Sequence, residues 1–415
     1  GGVHVSDEPA SASPGVGEQF ASVARSVYGR WAAVRDSELT VAVLTFLGVL
    51  LAPYVLVELP TQLGLPTEYI WYNSLITLTV VWAIFAIGYD LLLGFTGLLS
   101  FGHAMFWGTA AYAAGIFSAE VSGSPIAMLV VGTLTAVVVA WVIGWISLRR
   151  GGIYFAILTL AFGQMTYYIF LSPMSNITGG ENGFNDVDLG LLFGIIDLGD
   201  PVPLIPDAFV ASWMYAFAGV ALVGAVVFGY RILNSPYGVV LRAIRENEQR
   251  AEFVGLNVWR YKLMSFILSG AFAGVAGSIY VIQREYVPID NALRWTVSGD
   301  IVVITVLGGA GSLFGSLFGA GLYMYVANIV SGFPNIGTFW HMILGIVFVA
   351  VIVLLPNGIW GGITYARGLV VRSPEIVRNA PATTRRFVET FPDRARAWLD
   401  SLRRRIPGMG GGDDR

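Results

Sequence analysis

The chain has 415 residues, of which 55% are hydrophobic and only 12% charged, against roughly a quarter charged in an ordinary soluble domain. With a mean hydropathy of +0.69, polar surface is too scarce to cover the apolar mass of a soluble fold, and the composition points to a membrane protein. The absence of cysteine excludes disulfides and thiolate metal sites, while the small net charge of −3 matters less than where the charges lie.

Residues 1–38 open with Ser6-Asp7-Glu8-Pro9 and a Ser/Gly/Pro-rich run that lacks a basic region leading into an apolar core. They read as a disordered tail rather than a signal peptide. Apolar stretches of about 20 residues, the length that spans the hydrocarbon core, predict crossings near 39–59, 69–93, 98–119, 125–147, 152–171, 208–230, 262–286, 312–331 and 338–356. Residues 297–307 are apolar but short and end in Gly308-Gly309-Ala310-Gly311, so this segment either crosses or enters and turns back. Basic residues arbitrate. They precede the first span (Arg25, Arg30, Arg35), follow the fourth (Arg149, Arg150), cluster between 231 and 262, and fill the tail after Arg367. Residues 172–207 carry Glu181, Asp186, Asp188, Asp197, Asp200 and Asp207 with no Lys or Arg. The positive-inside rule then places both termini in the cytoplasm and 172–207 outside. An even number of crossings follows, so 297–309 is counted as one, broken at its glycines. The expected fold is an all-α polytopic transmembrane bundle of about ten crossings, with the permease-like body at 39–358. The tail 359–415 combines many arginines with Phe387, Phe391, Trp398, Leu402 and Ile406, either as a basic amphipathic helix on the inner leaflet or as a solvated segment.

Two glycine-rich stretches interrupt the spans. One runs through Asp90, Gly94, Gly97, Ser100 and His103, the other through Gly308, Gly309 and Gly311. Small residues at such spacing serve close helix packing. As a pair in the two halves, they also suit discontinuous helices lining a pathway. Polar groups within the spans are few: Asp90, His103, Thr159, Gln164, Thr166, Asp300 and His341. Asp90 and Asp300 read as pathway groups or as groups that stabilise a break. His103 and His341 have no Cys or Glu at ligand spacing and read as packing histidines.

Between the sixth and seventh spans, residues 236–256 predict a short amphipathic helix opened by Pro236 and closed by Gly255. Val240, Leu241, Ile244, Ala251 and Val254 form its apolar stripe. Arg242, Arg245 and Arg250 balance Glu246, Glu248 and Glu252, so attraction to anionic lipid largely cancels. Such a helix suits a groove on a protein partner.

With this loop and the glycine breaks in view, the chain resembles the LivM-like permease subunits of ATP-binding-cassette importers for branched-chain amino acids. The matching stretches are Leu91–Phe106, Arg149–Gly163, Thr178–Gly183, Ser235–Lys262, Gly270–Gly277, Gly308–Ala320 and Leu355-Pro356-Asn357-Gly358. The resemblance implies a coupling helix that docks on an ATPase through Pro236, Gly238, Leu241, Arg242, Ile244, Arg245, Glu248, Ala251 and Gly255. Gly255 and Ala251 fall on the loop motif's glycine and alanine, while Gln249 and Arg250 depart from its usual Glu and Ala. It further implies a second related permease subunit, two ATP-binding subunits that carry ATP and Mg, and an extracytoplasmic substrate-binding protein. Thr178, Gly179, Gly180, Asn182 and Gly183 of the outer loop are the candidate contacts for that last partner.

The sole lysine, Lys262, follows Tyr261 and so cannot belong to a Walker A loop. No nucleophile elbow or H-E-x-x-H pair is present. The expectation is therefore a transport subunit in the cell membrane, with no catalytic residue, cofactor or metal of its own and no nucleic-acid partner. Family members also serve urea, short amides and aromatic acids. Among other classes, an ion-coupled secondary transporter would need a carboxylate at mid-membrane, for which only Asp90 and Asp300 stand, and a passive channel would need a filter signature that is absent.

Overall fold

The computed structural model describes residues 38–55, 73–149, 151–203, 212–332, 340–355, 358–362 and 364–365. Most of both expected tails, including the amphipathic helix after Arg367, lies outside the described residues, as does Asp207. The chain divides at Gly361. In the second unit the Thr364 hydroxyl donates to the Gly361 carbonyl, and every element below belongs to the first.

Twelve helices organise the described part of that unit: α1 (Glu38–Pro53), α2 (Asn73–Asp90), α3 (Ala104–Glu120), α4 (Pro125–Ser147), α5 (Ile153–Leu171), α6 (Trp213–Asn234), α7 (Pro236–Glu246), α8 (Glu248–Phe253), α9 (Val258–Arg284), α10 (Trp295–Gly308), α11 (Leu313–Gly332) and α12 (Trp340–Leu354). Short turns of helix lie at Ser175–Thr178, Gly180–Asn182 and Ile289–Leu293. Among the described residues there is no strand, only isolated bridges between Phe184 and Val287 and between Leu192 and Ile196. Five helices are long and apolar enough to cross a membrane: Ser74–Thr96, α4, α5, α6 and α9. A sixth span results if α10 and α11, bent by 117° across Gly309–Ser312, count as one. The glycines do break this segment, as their clustering predicts.

Layering follows from side-chain size. α2, α3 and α9 form the inside, with Phe85, Phe106, Trp107, Tyr112 and Phe266 fully buried. α4 buries only the stripe Gly132, Ala136, Ala140 and Gly144 and turns Leu134, Val138 and Trp141 outward. That four-residue spacing of small side chains brings α4 close to α9, where a Cβ on Gly270 would lie 2.5 Å from Ala140 Cβ and one on Gly274 2.7 Å from Ala136 Cβ. Without a hydrophobic drive between helices in lipid, such close backbone approach is what holds them.

The segment 97–103, expected within a crossing, is not helical, and α3 begins only at Ala104. Ser100, Gly102 and His103 are buried there. Irregular backbone at this depth is tolerated because the protein satisfies it: the Tyr89 hydroxyl donates to the Ser100 carbonyl at 2.8 Å, and the Ala104 amide donates to Ser298 Oγ at 2.8 Å.

Candidate functional site

Three features that sequence reading placed far apart meet at the end of the bundle that carries residues 235–257. α2 does not stop at Asp90 but runs into a wider π-helical turn, Leu91–Thr96, closed by Gly97 at φ 78°. π turns inside α-helices recur at functional positions. Against it lies the α10–α11 break. A Cβ on Gly94 would collide with both the Asp90 carboxylate and the Gly311 amide, and one on Gly311 would stand 3.3 Å from the Gly94 carbonyl oxygen. The two glycine breaks therefore touch, and only glycine lets them.

Asp90, 1% exposed, spans both. Its Oδ1 accepts from the Gly311 amide at 2.7 Å, immediately before the first turn of α11, where unpaired N–H groups and the helix dipole favour an anion. Of the two roles open to Asp90, the structure gives the break-stabilising one. Asp300 on α10 is partly buried and hydrogen-bonded with Tyr323 of α11, so it also joins the two arms of the bend.

The third feature is the loop. Arg245, at the end of α7, donates through a guanidinium N–H to the Gly94 carbonyl. The same side chain lies where a Cβ on Gly97 would come within 3.2 Å of its Cγ and a Cβ on Gly311 within 3.0 Å of its Nη1. One exposed arginine thus contacts both breaks.

The loop helix departs from expectation in two ways. A single helix from Pro236 to Gly255 is predicted, but the structure breaks it at Asn247. That residue is extended, with φ −159°, and its Oδ1 caps α8 by accepting from the Arg250 amide at 2.9 Å. Asn competes with the helical backbone in this way. The apolar stripe was also expected to face a partner, whereas Leu241, Ile244 and Ala251 are buried within this chain, the last two packing with Val258.

Other residues of this set hold the loop in place. Arg242 donates to the Leu233 carbonyl at 2.9 Å. Gly238 permits the tight α6–α7 turn, since a Cβ there would lie 2.6 Å from the Ile232 carbonyl, and Pro236 occupies the first turn of α7. Tyr237 stacks on Tyr261 and donates to its carbonyl at 3.0 Å. Burial pushes the Tyr237 phenol well above its usual value, so it remains a neutral donor. The Lys262 ammonium pairs with Glu248 at 2.5 Å.

What the break at Asn247 frees is a different surface. It resets the helical phase, so Phe253 and Val254 stand 87% and 77% exposed beside Gly255, which turns the chain at φ 87°. Phe253 escaped sequence reasoning, and Val254 was assigned to the buried stripe. The signal was the Asn-Glu pair at 247–248, a helix-cap pattern inside an apparent helix.

The remaining candidates scatter. His103 is enclosed by the edges of Tyr89, Phe106 and Phe266, and both ring nitrogens meet serine hydroxyls, Ser100 and Ser269, each at 2.9 Å. This is a packing role. Thr159 bonds its own helix at the Ala156 carbonyl, and its backbone oxygen lies against Gly102. Gln164 is partly buried on α5 with its Nε2 unpaired among the described residues. Gly308 and Gly309 pack against Gly315 of α11. For His341 only the backbone, in α12, is described.

At the opposite end, the outer-loop candidates are mostly internal. Thr178, Gly180 and Gly183 are buried, with Thr178 Oγ1 donating to the Phe170 carbonyl at 2.6 Å. Gly179 and Asn182 are exposed, and the Asn182 carbonyl accepts from Tyr286 at 2.9 Å. These residues brace the segment 285–294. The exposed apolar positions of the loop are instead Phe193 and Ile195, at 73% and 81%.

A cleft of about 720 Å³ opens beside the coupling loop, between residues 96–101, the start of α5 at 152–160, the α7–α8 junction at 244–248, and Lys262.

A family model described as a branched-chain amino acid transport system permease component matches residues 72–352. The chain is 28% identical over 295 residues to the high-affinity branched-chain amino acid transport system permease protein LivM of Escherichia coli, covering 68% of each chain. It is 26% identical to the corresponding LivH of Salmonella typhimurium, covering 69% of this chain and 93% of that one. Similarity reaches the archaeon Methanocaldococcus jannaschii, whose probable LivM permease is 24% identical over 60% of this chain.

Proposed function

Since the chain belongs to the branched-chain amino acid transport permease family, we propose that it is a transmembrane subunit of an ATP-driven importer for such amino acids. It crosses the cell membrane about ten times, with both termini and residues 235–257 cytoplasmic. It pairs with a second related permease, a reading supported by its similarity to both LivM and LivH proteins. Two ATP-binding subunits dock inside, and a substrate-binding protein docks outside on the acidic loop around Asn182 and the Phe193 turn.

One observation carries the mechanism: Arg245 of the loop touches both glycine breaks. Phe253 and Val254 supply the apolar contact to the ATP-binding partner. When ATP draws those partners together, α7–α8 moves with them, and Arg245 passes the displacement to Gly94 and Gly311. Helices broken at these points re-angle without losing buried hydrogen bonds, switching the pathway between outward and inward access.

The test is uptake in liposomes. Leucine accumulation is expected only when both permeases, the ATP-binding subunits, the binding protein and ATP are present. Uphill uptake by this chain alone, driven by an ion gradient, would replace the proposal with a secondary transporter.

A further inference from the structure

The cleft beside the coupling loop has two chemically distinct walls. One is apolar, from Ile153, Ile157 and Leu160 of α5, and the other is charged, from Arg245, Glu248 and Lys262. Its volume of about 720 Å³ falls within the range of roughly 300–1,000 Å³ typical of small-molecule sites. Lys262 is the only lysine in the chain, and its side chain is just 11% exposed. A buried ammonium is costly unless paired. The partner is Glu248, itself 49% exposed, so the pair sits at the cleft wall with one member facing water. An ammonium offers three donors, and Glu248 takes one.

We propose that this cleft is a substrate site on the release side of the transporter, taking a zwitterionic amino acid with an aliphatic side chain. The inference rests on the transport function proposed above and assigns a place in this chain where the substrate is held. The substrate carboxylate meets Lys262 and Arg245, its ammonium meets Glu248, and its side chain lies along Ile153, Ile157 and Leu160. Exchange of partners between two ion pairs leaves no charge uncompensated, so the site accepts a zwitterion and discriminates against ligands of single charge. Because Arg245 also holds the Gly94 carbonyl, a substrate in the cleft contacts the residue that joins the loop to the glycine breaks.

The test is equilibrium binding to the full chain in nanodiscs without partners, using tritiated L-leucine. Saturable binding is expected. Glycine, isocaproate and isopentylamine, which lack the side chain, the ammonium and the carboxylate respectively, should each compete at least about 10-fold more weakly. Ile157→Trp fills the apolar wall from an exposed position and should weaken leucine binding by about 10-fold or more while leaving the melting temperature unchanged. Lys262→Gln should do the same, and the Trp variant decides the matter if this one fails to fold. No saturable leucine binding, equal competition by the single-charge analogues, or wild-type affinity in Ile157→Trp overturns the proposal. ATP-driven leucine uptake by the complete assembly separates the two readings. Uptake without binding to this chain removes the cleft and keeps the transport function, whereas absence of uptake removes the transport function itself.

Discussion

Phe253 gives the sharpest test of how the loop meets its partner. It is 87% exposed at the end of α8, and full burial of a phenylalanine side chain is worth about 1.5–3 kcal/mol. Docking into an apolar pocket on the ATP-binding subunit recovers most of that, so Phe253→Ala should weaken association by about 2 kcal/mol, or about 30-fold in Kd. The cost falls on binding alone. The side chain contributes little to this chain's own core, and the stability of the isolated permease should stay within about 0.5 kcal/mol of wild type. The assay is titration of fluorescently labelled ATP-binding subunit onto nanodisc-embedded permease pairs, with a melting curve on the same sample. A Kd within threefold of wild type would refute the placement of the contact at Phe253 and return it to the remainder of α7–α8.

Arg245→Ala should leave the chain folded and the ATP-binding subunits bound, because the residue is exposed and off the docking surface, yet lower leucine transport per ATP hydrolysed by about 10-fold or more, read by paired uptake and phosphate-release measurements; unchanged stoichiometry would show that force bypasses the breaks. At Asp90, Asn keeps an acceptor for the Gly311 amide and should melt within about 1 kcal/mol of wild type, whereas Leu leaves that amide unpaired and should cost roughly 1–3 kcal/mol; equal melting of the two would remove Asp90 from the break. Gly315→Ala places a Cβ 2.7 Å from the Gly308 carbonyl oxygen and 2.9 Å from that of Gly309, both backbone, and should destabilise by about 1–3 kcal/mol; a wild-type melting temperature would mean that α10 and α11 do not pack as closely as described.

Much of the architecture was legible in the residues. Apolar runs located the spans, the Gly308–Gly311 cluster located the 117° bend, and the paired breaks at 94–97 and 308–311 were visible as glycine spacing. Less legible was the inner side of each helix. In lipid both faces are apolar, so no periodicity separates the buried stripe of α4 from its exposed Leu134, Val138 and Trp141, and only the small residues betray it. The outer-loop motif misled for a related reason. Glycines and a threonine at 178–183 read as a surface turn, yet a threonine that bonds the end of its own preceding helix has the same spelling as one that meets a partner.

The sequence by itself determined a membrane-embedded helical chain with two glycine interruptions and a charge-balanced loop, because composition, span length and charge are local properties. Tertiary structure decided how these are joined. That Gly94 meets Gly311, that Asp90 completes the start of α11, and that Arg245 touches both involve residues separated by about 150 to 220 positions. Such contacts depend on which helices pack together and at what depth. The same packing turned Leu241, Ile244 and Ala251 inward and left Phe253 and Val254 for a partner, since a single cap at Asn247 shifts the phase of everything after it.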